Sequence, residues 1–187
     1  KELLQSFDTV VTLSEKDSFL AKQLYDLKQV IVRPWTPPQW TLKVQRTENT
    51  INKYELLFFA NFSRGENSEA LSWMLSHAWP TILEEFPTAP LVLAGSGSDV
   101  VTLPKSCLNI HTVGFVEDPA LLFERCHLAI APLAYGAGVK FKVLEALSCG
   151  VPVVGTHVAL EGIPPSSQLT MSNRNDFAKK IIELFKR

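Results

Sequence analysis

Short apolar runs separated by segments of helical periodicity constrain the fold more than any other feature of this sequence. The runs are apolar on both faces rather than alternating, which is typical of buried parallel strands. They lie at residues 10–13, 30–32, 56–60, 91–94, 110–113, 128–132 and 151–154. Between them, apolar residues recur three and four apart at residues 68–86, 119–126, 141–148 and 176–186. This alternation predicts an α/β protein with a Rossmann-like, doubly wound parallel sheet.

The regular pattern breaks at the sequence PWTPP of residues 34–38, and the chain stays polar from there to residue 53. Prolines interrupt both helices and strand ladders, so we predict a boundary here. Residues 1–38 would be the tail of a preceding domain, residues 39–54 a linker and residues 55–187 the main domain. The chain also starts without a methionine and enters an apolar run almost at once. We therefore expect it to be a piece of a longer protein.

The composition excludes several classes of protein. The chain has 18 Lys and Arg against 19 Asp and Glu, without long runs of like charge, so no nucleic-acid surface is expected. Its apolar runs are far shorter than the roughly 18 residues of a membrane-spanning helix. The three cysteines, Cys107, Cys126 and Cys149, are odd in number and have apolar neighbours, and the N-terminus lacks a signal-peptide pattern. These features predict a reduced, cytoplasmic protein.

One strand-loop-helix segment is the strongest candidate for a ligand site. In open parallel sheets, ligands bind beyond the carboxyl ends of the strands. After the run at residues 128–132, the sequence YGAGVKFKVLEAL leads through a glycine loop into a helix, whose free N-terminal amides would attract phosphate. Lys140 and Lys142 lie in the opening turn, where the helix dipole disfavours cations, so we expect an anion there. The alternative is that both lysines are solvated and Lys142 pairs with Glu145.

Glu145 completes the pattern that favours a nucleotide. It lies one turn inside the helix, where a carboxylate does not help to bind phosphate but can accept hydrogen bonds from a ribose diol. The dinucleotide pattern GxGxxG after a first strand and the Walker pattern are both absent. No His, Cys or carboxylate cluster has metal spacing, so we expect neither a metal nor a cofactor. A second glycine loop, GSGS at residues 95–98, would let a ligand approach the backbone, although an ordinary turn is the alternative.

Four segments resemble the C-terminal domain of GT-B glycosyltransferases of family 4. The most specific is the stretch at residues 138–152, which is similar to the donor-binding motif ending in Glu-Ala-x-x-x-Gly-x-Pro-Val. The others are LFFANF at residues 57–62 with Asn67, Ala70 and Trp73, PLVLAGSG at residues 90–97, and residues 110–115 with Asp118 and Leu122. The resemblance covers about residues 56–163. Residues 7–14 and 30–34 resemble the last strands of the family's N-terminal domain.

The resemblance implies an activity and a set of site residues. The activity is transfer of a sugar from a nucleotide-diphosphate donor, with retention, to a glycan or lipid-linked acceptor bound by the missing N-terminal domain. The isolated chain would then be inactive, and the full enzyme would work in the cytoplasm, with peripheral association at the inner membrane face as a further expectation. Glu145 would bind the ribose, and Phe115 and Val116 the base. The remaining donor-binding positions would be Ser63, Arg64, Gly95, Gly136, Ala137, Gly138, Val139, Lys140 and Lys142.

The chain departs from the family pattern at two positions, and two other functions stay open. The family often has a glutamate eight residues before Glu145, where this chain has Ala137, and its Arg and Lys pair after the first strand is reduced to Arg64. One alternative is a nucleotide-sugar epimerase of GT-B type, which would turn over the donor without an acceptor. Another is a degenerate nucleotide-binding or interaction module without activity, which would bind the donor weakly or not at all.

Overall fold

The chain forms two parallel sheets, a small one followed by a large one. The computed structural model describes residues 2–103 and 108–187, so Cys107 lies outside the described residues. After a short helix, α1 (Glu2–Gln5), strands β1 (Val10–Thr12) and β2 (Val30–Val32) pair in parallel and are connected by α2 (Glu15–Tyr25). All strands from residue 56 onward belong to one six-stranded parallel sheet.

The order of strands in the large sheet creates a switch point. The strands are β3 (Leu56–Phe59), β4 (Leu91–Ala94), β5 (Ile110–Gly114), β6 (Leu128–Ala131), β7 (Val153–Gly155) and β8 (Leu169–Met171). The helices are α3 (Gly65–Trp73), α4 (Trp79–Glu85), α5 (Ala120–Arg125), α6 (Phe141–Ser148) and α7 (Phe177–Phe185). The order β5-β4-β3-β6-β7-β8 shows that the chain first extends the sheet on one side of β3 and then on the other. The loops after β3 and β6 therefore separate and leave a crevice between them, where ligands bind in folds of this kind.

The core of the large sheet explains why the apolar runs become strands. Strands β4 and β6 are buried at every position, and β3 is buried at all but its last one. Successive side chains point to opposite faces, and Phe59 packs edge-on against Phe123 of α5 on one face. Phe58, on the other face, is fully buried and packs against Phe62. Each such side chain contributes about 1.5–3 kcal/mol when it is fully buried. The prediction of a Rossmann-like parallel sheet is confirmed.

The long helix expected at residues 68–86 is interrupted. A π-helical turn, Met74–Ala78, lies between α3 and α4, and the Trp79 amide donates to the Met74 carbonyl. Pro80 explains the interruption, because it has no amide to donate to the carbonyl four residues earlier and its ring clashes with that carbonyl. The helix widens by one residue immediately before the proline.

The helices α1 and α2 and the strand β8 were not predicted from the sequence. Ser14 caps α2, its hydroxyl accepting a hydrogen bond from the Asp17 amide at 3.1 Å. Asp26 ends the helix in the left-handed conformation with φ of 55°. In contrast, β8 has three residues and no fully buried position, so its sequence carries little strand signal. It is recognisable only by its pairing with β7.

The segment predicted as a linker packs against α5. Residues Gln39–Lys43 form a 3-10 helix, and Trp40 stacks on Phe123 with ring centroids 5.2 Å apart. Arg46 donates from Nη1 to the carbonyls of Phe123 and Cys126, both at 2.6 Å, at the C-terminal end of α5. Residues 39–46 therefore pack against the part of the chain that contains the large sheet. The division into three segments remains a prediction.

Candidate functional site

A cavity of about 480 Å³ opens at the carboxyl edge of the large sheet, at the switch point. It lies between the N-terminal end of α3, the loops after β4 and β5, and the β6–α6 loop. Eight of the predicted site residues line it: Arg64, Gly95, Phe115, Val116, Ala137, Val139, Lys140 and Lys142. The other lining residues are Phe59, Ala60, Asn61, Glu66, Asn67, Ser96, Leu133 and Phe141. Four predicted residues, Ser63, Gly136, Gly138 and Glu145, are not in the lining.

Lys142 is the most strongly perturbed cation of this cavity. Its Nζ donates to Asn67 Oδ1 at 2.6 Å and lies 5.2 Å from the centre of the Phe58 ring. Burial lowers the pKa of Lys142 to about 7; Lys140 and Arg64 lower this pKa further, whereas Glu66 opposes them. The alternative in which Lys142 pairs with Glu145 is wrong, because Asn67 is its hydrogen-bond partner. No carboxylate among the described residues forms an ion pair with this ammonium group, which favours the arrival of an anion.

Asn67, which holds Lys142, is itself fixed by the backbone. Its Nδ2 donates to the Asn61 carbonyl at 2.8 Å, so its oxygen is left to face Lys142. Asn67 is buried in the first turn of α3. Its part in the site was not predicted, because no local pattern indicates that an asparagine on α3 meets a lysine on α6.

Lys140 folds back on its own loop. Its Nζ donates to the carbonyls of Gly138 at 2.6 Å and Ala137 at 3.2 Å, and burial lowers its pKa. Gly136 and Gly138 have φ of 139° and 71°, a region that side-chain-bearing residues rarely adopt. The glycines thus turn the loop so that its carbonyls face Lys140, and α6 begins at the next residue without a side-chain cap.

The third cation, Arg64, lies at the rim. Its side chain is 68% exposed, and its Nε is 2.7 Å from Glu66 Oε1. Ser63 lies behind the rim, where its hydroxyl would be 2.9 Å from a Cβ at Gly97. A Cβ at Gly95 would lie 2.2 Å from the Ala60 carbonyl oxygen, so this glycine permits the loops after β3 and β4 to approach closely. Gly95 therefore has a structural reason for its identity and also lines the cavity.

Glu145 lies apart from the cavity lining, one turn into α6. Burial raises the pKa of its carboxyl group. No side chain in residues 2–103 or 108–187 donates a hydrogen bond to this carboxylate. Phe115, in contrast, is at the cavity mouth with 77% of its surface exposed. An apolar ring in this position can pack against a flat ligand without disturbing the core.

These features define a class: a Rossmann-like α/β protein with a cation-lined cavity where its parallel sheet switches direction. The family described as "Glycosyl transferases group 1" matches residues 53–187, which is more than half of the chain. The chain belongs to this glycosyltransferase family.

Three known proteins illustrate the similarity. An uncharacterized 44.6 kDa protein in the cps region of Klebsiella pneumoniae is 28% identical over 148 residues, covering 73% of this chain and 38% of that protein. A variant of S. aureus TarM, solved with fondaparinux, alpha-GlcNAc-glycerol and UDP, is 14% identical with a TM-score of 0.76 over 100% of this chain and 38% of TarM. WaaG, a glycosyltransferase involved in lipopolysaccharide biosynthesis, is 15% identical with a TM-score of 0.70 over 95% of this chain and 53% of WaaG.

The structural similarity confirms the GT-B type of fold, and the coverage shows how much of such a protein is present. The chain spans 38% of the length of the Klebsiella protein and of TarM. None of the helices among the described residues is long and apolar enough to cross a membrane.

Proposed function

We propose that residues 55–187 bind the nucleotide-diphosphate sugar donor of a retaining glycosyltransferase. The sugar would pass to a glycan or lipid-linked acceptor on a preceding domain, of which residues 1–38 are the tail. Retention, the acceptor and a cytoplasmic location at the inner membrane face rest on the family resemblance alone. The involvement of WaaG in lipopolysaccharide biosynthesis makes polysaccharide biosynthesis the first pathway class to examine.

The observation that carries this proposal is the meeting of three cations and a helix N-terminus in one cavity. Lys140, Lys142 and Arg64 line it together with the first turn of α6, and Glu66 is the single carboxylate among the described lining residues. A diphosphate carries the charge that this arrangement lacks. Negative charge also grows on the diphosphate as the sugar leaves, so the same groups would stabilise the transition state.

The family resemblance assigns the other parts of a nucleotide sugar to residues in the lining and close to it in sequence. Phe115 and Val116, at the cavity mouth, would contact the base. Glu145, whose carboxylate has no donor among the described side chains, would accept hydrogen bonds from the ribose diol. Ala137 lines the cavity between Gly136 and Gly138, and by the family resemblance this part of the loop, which carries no bulky side chain, would face the donor sugar.

The exposed apolar surface of residues 1–38 supports the expectation of a preceding domain. Leu3, Phe19 and Leu24 are 72%, 59% and 61% exposed. A two-stranded sheet is marginally stable by itself, and parallel sheets are usually covered on both faces. Further strands and helices of the same domain would cover these side chains.

We further propose that donor binding needs no metal ion. Within residues 2–103 and 108–187, no group of three or more His, Cys, Asp or Glu is placed to hold one. Lys140, Lys142 and Arg64 would neutralise the diphosphate instead. Addition of EDTA should therefore leave the affinity for a nucleoside diphosphate unchanged.

Calorimetric titration of this chain with UDP, GDP, ADP and CMP tests the proposal. UDP is the first choice because TarM was solved with it. A ligand at about 100 times its Kd should add roughly 2.7 kcal/mol to the free energy of unfolding. Lys140→Ala and Lys142→Ala should abolish both the binding and the stabilisation by ligand, whereas Lys179→Ala, on the exposed face of α7, should abolish neither. If none of the nucleotides binds, or if binding survives both lysine changes, the proposed site is wrong and the degenerate module is favoured.

A further inference from the structure

We propose that Arg174 is a positioning residue for the donor cavity, which it does not touch. Its guanidinium group ties the start of the β6–α6 loop to α3 and thereby sets the place of Lys142. The inference rests on the proposed function in so far as Lys142 is taken to bind the donor diphosphate. The geometry itself is independent of any ligand.

All three nitrogens of the Arg174 guanidinium group donate hydrogen bonds. It lies between β8 and α7, with 20% of its side chain exposed. Nη1 and Nη2 donate to the two carboxylate oxygens of Glu69 at 2.7 and 2.6 Å. Nε and Nη2 donate to the Pro132 carbonyl at 3.1 and 2.8 Å. The group also lies over the Trp73 ring, 4.7 Å from its centroid.

The partners of Arg174 are the two elements that position Lys142. Pro132 directly follows β6 and opens the loop that leads to α6. Glu69 lies on α3, two residues after Asn67, whose Oδ1 accepts the hydrogen bond from Lys142. A closed ring results: hydrogen bonds join Arg174 to Glu69, Asn67 to Lys142 and Arg174 to Pro132, and the backbones of α3 and of the β6–α6 loop join the rest.

The ring can be held by an arginine but not by a lysine. The planar guanidinium group donates to both oxygens of the carboxylate and also to the carbonyl, whereas an ammonium group is a single point of charge. The Leu133 carbonyl, next along the loop, is held separately by Thr156 Oγ1 at 2.6 Å. Arg174 therefore connects the first residue of the loop, Pro132, to α3, and Thr156 holds the next residue toward the end of β7.

A purely structural ion pair on the same helix layer offers a matched control. Lys186 Nζ, one residue beyond the end of α7, is 2.8 Å from Glu85 of α4. This pair also joins two helical elements, but among the described residues no side-chain hydrogen bond or ion pair links either partner to the β6–α6 loop or to the N-terminal turn of α3. Lys186→Met removes a cation and a cross-helix contact without disturbing the ring.

The experiment compares Arg174→Met, Arg174→Lys and Lys186→Met in the 187-residue chain. Affinity for UDP, GDP and ADP is measured by calorimetry, and the pKa of Lys142 by NMR titration of isotope-labelled lysine, assigned with Lys142→Met. Loss of the outer groups that orient metal ligands typically weakens metal binding by roughly 10- to 100-fold, and we take the lower end of this range for Lys142. We expect about tenfold weaker diphosphate binding in both Arg174 variants, and a Lys142 pKa that rises toward its ordinary value as the loop loosens. Lys186→Met should change neither.

The outcomes separate this inference from the proposed function. If the unmodified chain binds no nucleoside diphosphate, the proposed function fails, and the lysine titration alone decides the role of Arg174. If the chain binds one and both Arg174 variants keep its affinity and the Lys142 pKa, the inference is overturned. Should Arg174→Met fail to fold, Arg174→Lys, which retains the charge, supplies both readouts. A loss of stability without a change in either readout would assign Arg174 a structural role only.

Discussion

Replacing Lys142 by Met should stabilise this protein near pH 7 while it removes diphosphate binding. The pKa of Lys142 falls from 10.5 to about 7 because the ammonium group is buried, and at roughly 1.36 kcal/mol per pH unit this corresponds to about 5 kcal/mol. Methionine avoids that cost but loses the hydrogen bond to Asn67 and leaves the Asn67 oxygen without a donor, which costs about 1–3 kcal/mol. The expected net gain in the free energy of unfolding is therefore about 2–4 kcal/mol.

The pH dependence of this gain follows from the direction of the pKa change. Between pH 7 and 10.5 the unfolded chain holds a proton on Lys142 that the folded protein has lost, so the stability of the unmodified protein rises with pH. The advantage of Lys142→Met is thus complete below pH 7. Above pH 7 it should shrink by roughly 1.36 kcal/mol per pH unit.

Urea unfolding of both proteins across the range from about pH 6 to pH 9.5 measures this difference, with Lys179→Met on the exposed face of α7 as a control. The control should change the free energy of unfolding by less than about 0.5 kcal/mol at every pH. A difference for Lys142→Met that stays constant with pH, or a destabilisation at pH 6, would refute the reasoning. Either result would mean that the Lys142 ammonium group is well solvated or already paired in the folded protein.

The remaining predictions concern the ligand and the glycine loops. Glu145→Ala should weaken nucleoside diphosphate binding by about 10- to 100-fold, which corresponds to the loss of one charged hydrogen bond. Calorimetry should find that the same change does not weaken binding of the 2′-deoxy nucleotide, which lacks the ribose diol. Binding should weaken as the pH rises above 7, because the ligand requires protonated Lys142, and calorimetry in buffers of different ionisation enthalpy should detect proton uptake. Gly95→Ala should cost about 3 kcal/mol or more in urea unfolding because its Cβ would lie 2.2 Å from the Ala60 oxygen. Gly138→Ala, with no atom within 4 Å of its Cβ, should cost only the backbone strain of about 1 kcal/mol.

The large sheet could be predicted from the sequence because its strands are buried on both faces. Runs such as Leu91–Ala94 and Leu128–Ala131 have no polar position and need no tertiary information to be recognised as strands. The helix α6 was predicted with its observed bounds, Phe141–Ser148, because the glycine loop and the Ser-Cys-Gly end are both local signals. In α2 and β8 polar residues interrupt the apolar pattern, so both elements were missed.

The sequence predicted those residues of the candidate site that can be recognised from their own type and local position. Lys140 and Lys142 are conspicuous as cations at the start of a helix, and both line the cavity. Asn67 and Arg174 become important through partners that lie 75 and 42 residues away along the chain. No periodicity or spacing within one sequence indicates such contacts, so their roles emerge from the fold.

The attachment of residues 39–46 to α5 has a mechanical consequence. Trp40 and Arg46 are held against α5, so a rotation of the small sheet relative to the large one would have to occur between the end of β2 and residue 39. That pivot consists of residues 33–38, three of which are prolines, and it would bend at few bonds rather than along its length. Opening would also separate Trp35 from Phe141, whose rings stack 6.2 Å apart at the first residue of α6. A stiff hinge of this kind would couple rotation of the small sheet directly to the N-terminal end of α6, the helix that carries Lys142.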